Sequence, residues 1–343
     1  MNKLDELDKL NQKIKRKCGI KHDENSNAKR QFQCERIQKL IDVSTIKDNN
    51  EIINVKIIVH ICFQDKETLD VKNDIQEMIN TLNRDYNNKS TNFKKNYNTD
   101  NKELQEIYNN YISLAGSANI HFSLDRVIYK NFNISQQSLT QYEILMYNNG
   151  DLDTINKLVK INHSPSIDAN KFLNIWIVDS LGGGLLGYAT FPWDYNEATK
   201  LLDGVVINRG AFGINPSMSD FNLNKTVTHE VGHWFGLFHV FQNTLQNDLH
   251  KNEFAFDYKG KITEEEFTGD CIEDTPPQNC ATYGNPLIDT YLWRYTEYKN
   301  TKSWHMFMNF MDYVDDEAMF MFSKDQCKKL RLMIMLERPN IIN

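Results

Sequence analysis

The sequence has no run of about 18 consecutive apolar residues, the length a helix needs to cross a bilayer, so no membrane span is expected. Cysteine is scarce: Cys18, Cys34, Cys62, Cys271, Cys280 and Cys327 are the six in 343 residues, and none form a C-x-x-C pair. That is too few for a disulfide scaffold in a chain of this length. Positive charge is not in excess either. With 46 acidic against 39 basic residues the net charge is −7. Nucleic acid calls for a basic surface, so no such partner is expected. The opening stretch, MNKLDELDKLNQKIKRKCG, lacks the apolar segment of a secretory signal. No internal repeat is present.

What is there reads as a folded protein. Hydrophobic residues make up 40% and charged residues 25%, ordinary values for a globular chain. The length suffices for one large domain or two subdomains with a real core. Residues 1–51 form a separate segment, with Leu4, Leu7, Leu10 and Ile14 at near-helical spacing and then the polar KHDENSNAKRQ. From Ile52 the texture changes. INVKIIVHICF is β-branched and predicts a buried strand with Cys62 as a core residue. VKNDIQEMINTLNRDYNN puts Ile75, Met78, Ile79 and Leu82 on one face of a helix. Residues 88–117 predict a loop and a short helix. IHFSLDRVIYK and KFLNIWIVDS predict two more strands, and residues 131–170 give no clear element. Three glycines in LGGGLLGYATFPW open a strand that ends at Pro192, and DGVVINRGAFG reads as a short strand and a loop. KGKITEEEF reads as a surface insertion. Leu330, Met333 and Ile334 mark a closing helix in SKDQCKKLRLMIMLE. Strands mixed with helices indicate an α/β or α+β fold.

The chemistry is concentrated in THEVGHWFGLFHVF, Thr228 to Phe241. His229 and His233 are four residues apart, which on an α-helix places both rings on one face, about one turn apart. Two imidazoles so placed grip one tetrahedral metal ion. With Glu230 they make the H-E-x-x-H zinc signature, in which the glutamate is the general base. His239 lies beyond the reach of a continuous helix. Gly236 resolves this: glycine adopts positive φ, ends the helix and lets the chain bring His239 back to the ion. Gly232 inside the helix costs about 1 kcal/mol against alanine, which predicts a backbone passing close to it. Three histidines leave one coordination position open, the mark of a catalytic zinc site. A water there is acidified by the ion and deprotonated by Glu230 as it attacks a carbonyl. The alternative is a non-catalytic zinc-containing binding module. Glu230 separates the two, because a structural site has no use for it.

The longer string H-E-x-x-H-x-x-G-x-x-H is the metzincin signature, which calls for a downstream Met-turn. NFMDYVDD supplies one, with Met311. HEVGHWFGLFHVF, GDCIEDTPPQ and NFMDYVDDEAMFMFSKDQ together resemble the pappalysin family of metzincins. IIVHICF, LNRDYNN, LNIWIV, LLGYATFPW and DGVVI agree, so the likeness runs from about residue 52 to 335. The resemblance implies a zinc endopeptidase acting on proteins or peptides. It implies an α+β metzincin-type fold for residues 52–343. An upper mixed β-sheet subdomain with the active-site helix would span about 52–236, and a smaller irregular lower subdomain about 237–343. It assigns zinc to His229, His233 and His239, the base to Glu230, the hydrophobic floor under the imidazoles to Met311, and a hydrogen bond to the oxyanion to Tyr313. LLGYATF matches the cleft-edge strand that pairs with an extended substrate. Asp270 and Thr275 match a loop that binds calcium in some members, although a plain Asx-turn explains that string almost as well. The resemblance suggests a secreted protein, but no signal is seen in the opening stretch, so the cellular address is left open, as is the oligomeric state.

The chain also departs from the family pattern. Many members have a cysteine where Ala318 stands, so one family disulfide is missing here, which leaves Cys280 either free or bridged to Cys271. Members that cleave before basic residues carry an acid at the position of Met319. Its apolar side chain implies an apolar or mixed preference just after the scissile bond, unless Asp315, Asp316 or Glu317 reaches the substrate pocket. RKCG, Arg16 to Gly19, resembles the family propeptide whose cysteine thiolate takes the open zinc position. Residues 1–51 are then prosegment-like, and the enzyme is a zymogen held latent through Cys18. Lys29 and Arg30 mark an exposed nick site, and Cys34 is a second thiol that could do the same job.

Overall fold

The β-branched run forms β1, Ile53–Cys62, whose burial alternates at first and then becomes continuous. That change is what a central strand shows once both faces are covered. The computed structural model describes residues 16–19, 32–36, 51–63, 69–90, 101–132, 139–213, 216–242, 261–262, 269–278, 280–288, 292–293, 295–298 and 301–342. The expected helix containing Leu4, Leu7, Leu10 and Ile14 lies outside them, as does most of KGKITEEEF.

β1 sits inside a five-stranded sheet. Its other strands are β2 (Ile120–Tyr129), β3 (Phe172–Val178), β4 (Gly187–Ala189) and β5 (Val205–Asn208), in the order β2-β1-β3-β5-β4. β2, β1, β3 and β5 run parallel, and β4 runs antiparallel to β5 at the edge. The fold is therefore α+β with a mixed sheet. The strand expected to reach Pro192 stops at Ala189, because Thr190 turns its hydroxyl to Asp203 Oδ1 at 2.9 Å and Pro192–Asp194 form a 3₁₀ turn.

Helices cover both faces of the sheet. On one lie α1 (Leu69–Asp85), α2 (Lys102–Tyr111) and, later in the chain, the motif helix, with Val55, Ile57, Ile75, Met78, Leu82, Ile107, Val227 and Val231 in one core. The other face is covered by α3 (Gln141–Asn148), α4 (Leu152–Ile155) and a π-helical turn, Asn156–Ile161, over Cys62, Trp176 and Val178. This layer is the stretch that gave no clear element. α3 buries Tyr147 alone and exposes Tyr142, Ile144 and Leu145, so it carries no apolar stripe to read. Its start was nonetheless written in the sequence as a capping box between Thr140 and Glu143.

The motif helix is α5, Lys225–Trp234, and every residue in it is buried. Buried charges fix both of its ends. Lys225 Nζ lies 2.7 and 2.9 Å from the two carboxylate oxygens of Asp85 on α1, and Thr228 Oγ1 donates to the same carboxylate at 2.7 Å. At the far end Trp234 Nε1 donates to Asp203 Oδ2 at 3.0 Å, and Arg338 forks onto both Asp203 oxygens. A bidentate guanidinium holds its partner in direction as well as distance.

Past α5 the regular pieces are short: β6 (Lys261–Ile262), β7 (Tyr283–Gly284), β8 (Tyr295–Tyr298), β9 (Thr301–Trp304) and β10 (Tyr313–Val314). They precede the closing helix α6, Lys324–Glu337, which starts at a Ser323–Gln326 capping box and puts Leu330 and Ile334 into the main core. Among the described residues no helix is long and apolar enough to cross a membrane.

Candidate metal centre and active site

α5 brings His229 and His233 onto one face, and Gly236 ends it with φ +93°. His239 then returns, so that the three Nε2 atoms lie 3.1, 3.1 and 3.2 Å apart. Outer partners hold two of the rings in place: His229 Nδ1 donates to Phe310 O and His233 Nδ1 to Leu237 O, each at 2.7 Å. With its proton on Nδ1, each of those rings aims the Nε2 lone pair at the other nitrogens. Such a cluster is repulsive without a cation at its centre. Nitrogens bound to one tetrahedral zinc at about 2.0–2.1 Å lie roughly 3.3 Å apart, so the donor set fits that ion. Burial first, then the neighbouring His233 charge, holds the His229 imidazole well below its ordinary pKa, which keeps it neutral as a metal ligand must be.

Cys18 completes the group. Its Sγ and the three imidazole nitrogens lie within 4.8 Å of one another. Cys18 arrives on a short stretch that pairs in parallel with the edge strand: Leu186 N donates to Lys17 O and Gly19 N to Gly187 O, both at 3.0 Å. The Cys18 amide donates to Tyr313 Oη at 3.3 Å, and its sulfur lies 3.3 Å from Glu230 Oε2. Glu230 is 1% exposed. Burial is the main reason its carboxyl is pushed up to about 8. The Cys18 thiol is raised as well, by burial and then by Glu230. A cation at the imidazoles reverses that direction for a thiol beside it.

Met311 and Gly232 are matched. A Cβ at Gly232 would lie 2.6 Å from Met311 Sδ. The close neighbour of this helical glycine is therefore the Met-turn side chain, not the backbone expected from sequence. The Tyr313 ring packs edge-on against His239 and Phe241, each with centroids 4.8 Å apart.

Arg16, which sequence reasoning passed over, and Asp316, one of the three acids it held as alternatives, sit beside this centre. Arg16 is 1% exposed, and its guanidinium pairs with Asp316, donates to Thr226 Oγ1 at 3.1 Å and to Val314 O at 3.3 Å, and lies 5.2 Å from the Phe221 ring. Asp316 also accepts from the amides of Leu223 and Lys225, at the start of α5. Met319, expected in the substrate pocket, is fully buried in the main core with Phe320 and Met321. The acid that meets the inserted segment is Asp316. The basic residue in RKCG was its signal, two positions before the cysteine.

The remaining expectations fare unevenly. Cys34 is bonded to Cys271, with Cα atoms 5.6 Å apart. Cys271–Cys280 is therefore not the bridge, and Cys34 is not a second thiol for the metal. Cys280 forms no disulfide among the described residues, the other outcome left open from sequence, and only the fold brings residue 34 to residue 271. Asp270 Oδ1 accepts from Thr275 Oγ1 at 2.7 Å and from Ile272 N at 3.2 Å, an Asx-type turn. Among the described residues, Asp270 Oδ2 and the buried Lys329 Nζ have no hydrogen-bond partner. Burial raises the Asp270 carboxyl to about 7, against the opposing charge of Lys329. A loop that spends its hydroxyl on its own carboxylate, with an ammonium as electrostatic neighbour, does not fit the oxygen cage of calcium.

The sequence profile of the peptidase family described as Pregnancy-associated plasma protein-A matches residues 153–335. An extracellular metalloprotease of Pyricularia oryzae is 34% identical over 163 residues, which cover 48% of this chain and 48% of that protein. Pappalysin-1 of Mus musculus is 29% identical over 170 residues, covering 48% of this chain and 9% of that protein. The chain thus spans about half the length, or less, of these curated relatives. Promirolysin of Tannerella forsythia shares the fold with a TM-score of 0.63 at 24% identity, covering 95% of this chain and 97% of that one.

Proposed function

The chain belongs to the pappalysin family of peptidases, and from that premise we propose that it is a zinc endopeptidase made in a latent form. His229, His233 and His239 hold the metal, and the observation that carries the reading is the near-equilateral triangle of their Nε2 atoms, 3.1–3.2 Å on a side. Zinc, when bound there, supplies Lewis acidity to a water and to the scissile carbonyl. Glu230 takes the proton. It later gives that proton to the leaving amine. The Tyr313 hydroxyl, now receiving the Cys18 amide, is free to donate to the oxyanion once that segment leaves. The β4 edge offers its backbone to an extended substrate.

Cys18 keeps the enzyme latent. Its sulfur takes the fourth donor place, and its backbone occupies the β4 edge and the Tyr313 hydroxyl that a substrate would use. Arg16 beside it argues for a basic rather than an apolar side chain in the neighbouring subsite, with Asp316 as its acid. Secretion is consistent with the extracellular relatives and with a disulfide, which persists in oxidising compartments. Calcium has no part in this reading. A non-catalytic zinc module would leave the buried Glu230 without a role.

The deciding experiment measures metal content and peptide hydrolysis in a Cys18→Ala protein with and without Glu230→Gln. Both forms should bind about one zinc, and the glutamine form should lose at least about 10²-fold in rate. Retained activity above roughly a tenth of the parent would overturn the base assignment.

A further inference from the structure

The inhibitory residues are not held by the main chain alone. Cys34 lies on a helical turn over residues 32–36 and is bonded to Cys271, in the GDCIEDTP loop of the peptidase domain. Noncovalent contacts accompany the bond. Gln33 is buried, but Phe32 is 62% exposed, and Arg36 pairs with Glu337 at 2.6 Å with both side chains partly in water. An ion pair of that kind anchors little. The disulfide is a covalent attachment of this part of the segment, and it lies between Cys18 and the start of β1.

We propose that the Cys34–Cys271 bond makes activation depend on where the prosegment is cut. The inference rests on the latency reading for Cys18. A cut between residues 36 and 51 severs the main chain but leaves Cys18 tied to the domain through Cys34. Only fifteen residues separate the two cysteines. A short tether of this kind holds its end at an effective concentration on the order of 1 mM, far above the roughly micromolar level a released peptide reaches in an assay. The inhibitory residues rebind, and the nicked enzyme stays latent. A cut between Gly19 and Cys34, for example beside Lys29 and Arg30, frees Cys18 at once. The late-cut form opens only when the bond is reduced. Two electrons from an external thiol or phosphine break the S–S bond, Cys34 and Cys271 each take a proton, and the reductant leaves as its disulfide or, with oxygen from water, as phosphine oxide. The segment is then free to diffuse away. Latency in an oxidising compartment is thus protected against cleavage at the wrong place, and a late cut becomes a redox-gated activation.

The test inserts one specific protease site near residue 26 in one full-length protein and near residue 43 in another. Each is cut without reductant, and hydrolysis is followed before and after a phosphine that does not compete for zinc. The early cut should activate fully. The late cut should leave less than about a tenth of that activity, recovered on reduction. The same late cut in a Cys34→Ser, Cys271→Ser protein should activate with no reductant. Full activity of the late-cut, unreduced form would overturn the proposal while leaving latency intact. Latency itself fails separately if Cys18→Ala does not activate the uncut chain. Zinc content measured before and after the phosphine guards against metal loss, and the double serine variant gives the answer with no reductant at all.

Discussion

Replacing Gly187 by alanine tests how tightly the base is placed. An ideal Cβ there would lie 2.8 Å from Glu230 Cγ, 2.9 Å from Glu230 Oε1 and 3.0 Å from Val206 O. Ordinary contacts begin at 3.4 Å, so roughly 0.6 Å of overlap must be relieved. Val206 cannot give way, since it is fully buried in β5 and paired on both sides by β3 and β4. The α5 backbone cannot either, because Asp85 holds Lys225 and Asp203 holds Trp234. The Glu230 carboxylate therefore moves. Displacing a reacting group by about 1 Å costs roughly 10²-fold in rate, whereas overpacking of this size costs about 1–3 kcal/mol in stability. In a Cys18→Ala background the expected outcome is one zinc retained, kcat down by about 10²-fold and KM within about threefold. A kcat within threefold of the parent would refute the reasoning. Loss of zinc would show that the helix, not the carboxylate, absorbs the strain.

Other outcomes follow from the buried charges. Asp85→Ala leaves the Lys225 ammonium unpaired in the core and should cost about 3–5 kcal/mol in urea unfolding; Asp85→Leu with Lys225→Met should cost clearly less, and equal losses would deny the pair its role. Lys160 is fully buried, donates to Leu202 O at 2.6 Å and is lowered by burial to about 7. From pH 7 to about 10.5 the unfolded chain binds the extra proton, so stability should rise with pH by up to about 1.4 kcal/mol per unit. Lys160→Met should flatten that slope, and an unchanged slope would acquit the lysine. A peptide library cut by the Cys18→Ala form should show Arg or Lys beside the scissile bond, with Asp316→Asn lowering that preference at least about tenfold; an apolar profile would restore the expectation drawn from Met319. Chelation should remove activity and lower the melting temperature, and His233→Ala should no longer take up zinc; a variant that still binds one equivalent would exclude His233 as a ligand.

Much of this was legible in the chain itself. Helical spacing put His229 and His233 on one face, and a glycine at residue 236 ended the helix, because local backbone geometry is set by nearby residues. β1, β2, β3 and β5 were readable as β-branched apolar runs, and α1 and α6 from apolar residues at helical spacing. α3 was not, since it rests on the domain by one buried tyrosine and has no stripe to read. Four matters waited for the tertiary structure. The neighbour of Gly232 is the sulfur of Met311, and of the three acids Asp315, Asp316 and Glu317 it is Asp316 that meets Arg16. Lys329 stands electrostatically opposite Asp270. Cys34 reaches Cys271 across 237 residues of chain. Each is a contact between segments far apart in sequence. Spacing along a chain fixes which side chains share a helix or strand face, but not which distant face packs against it; that is decided only when the whole core closes.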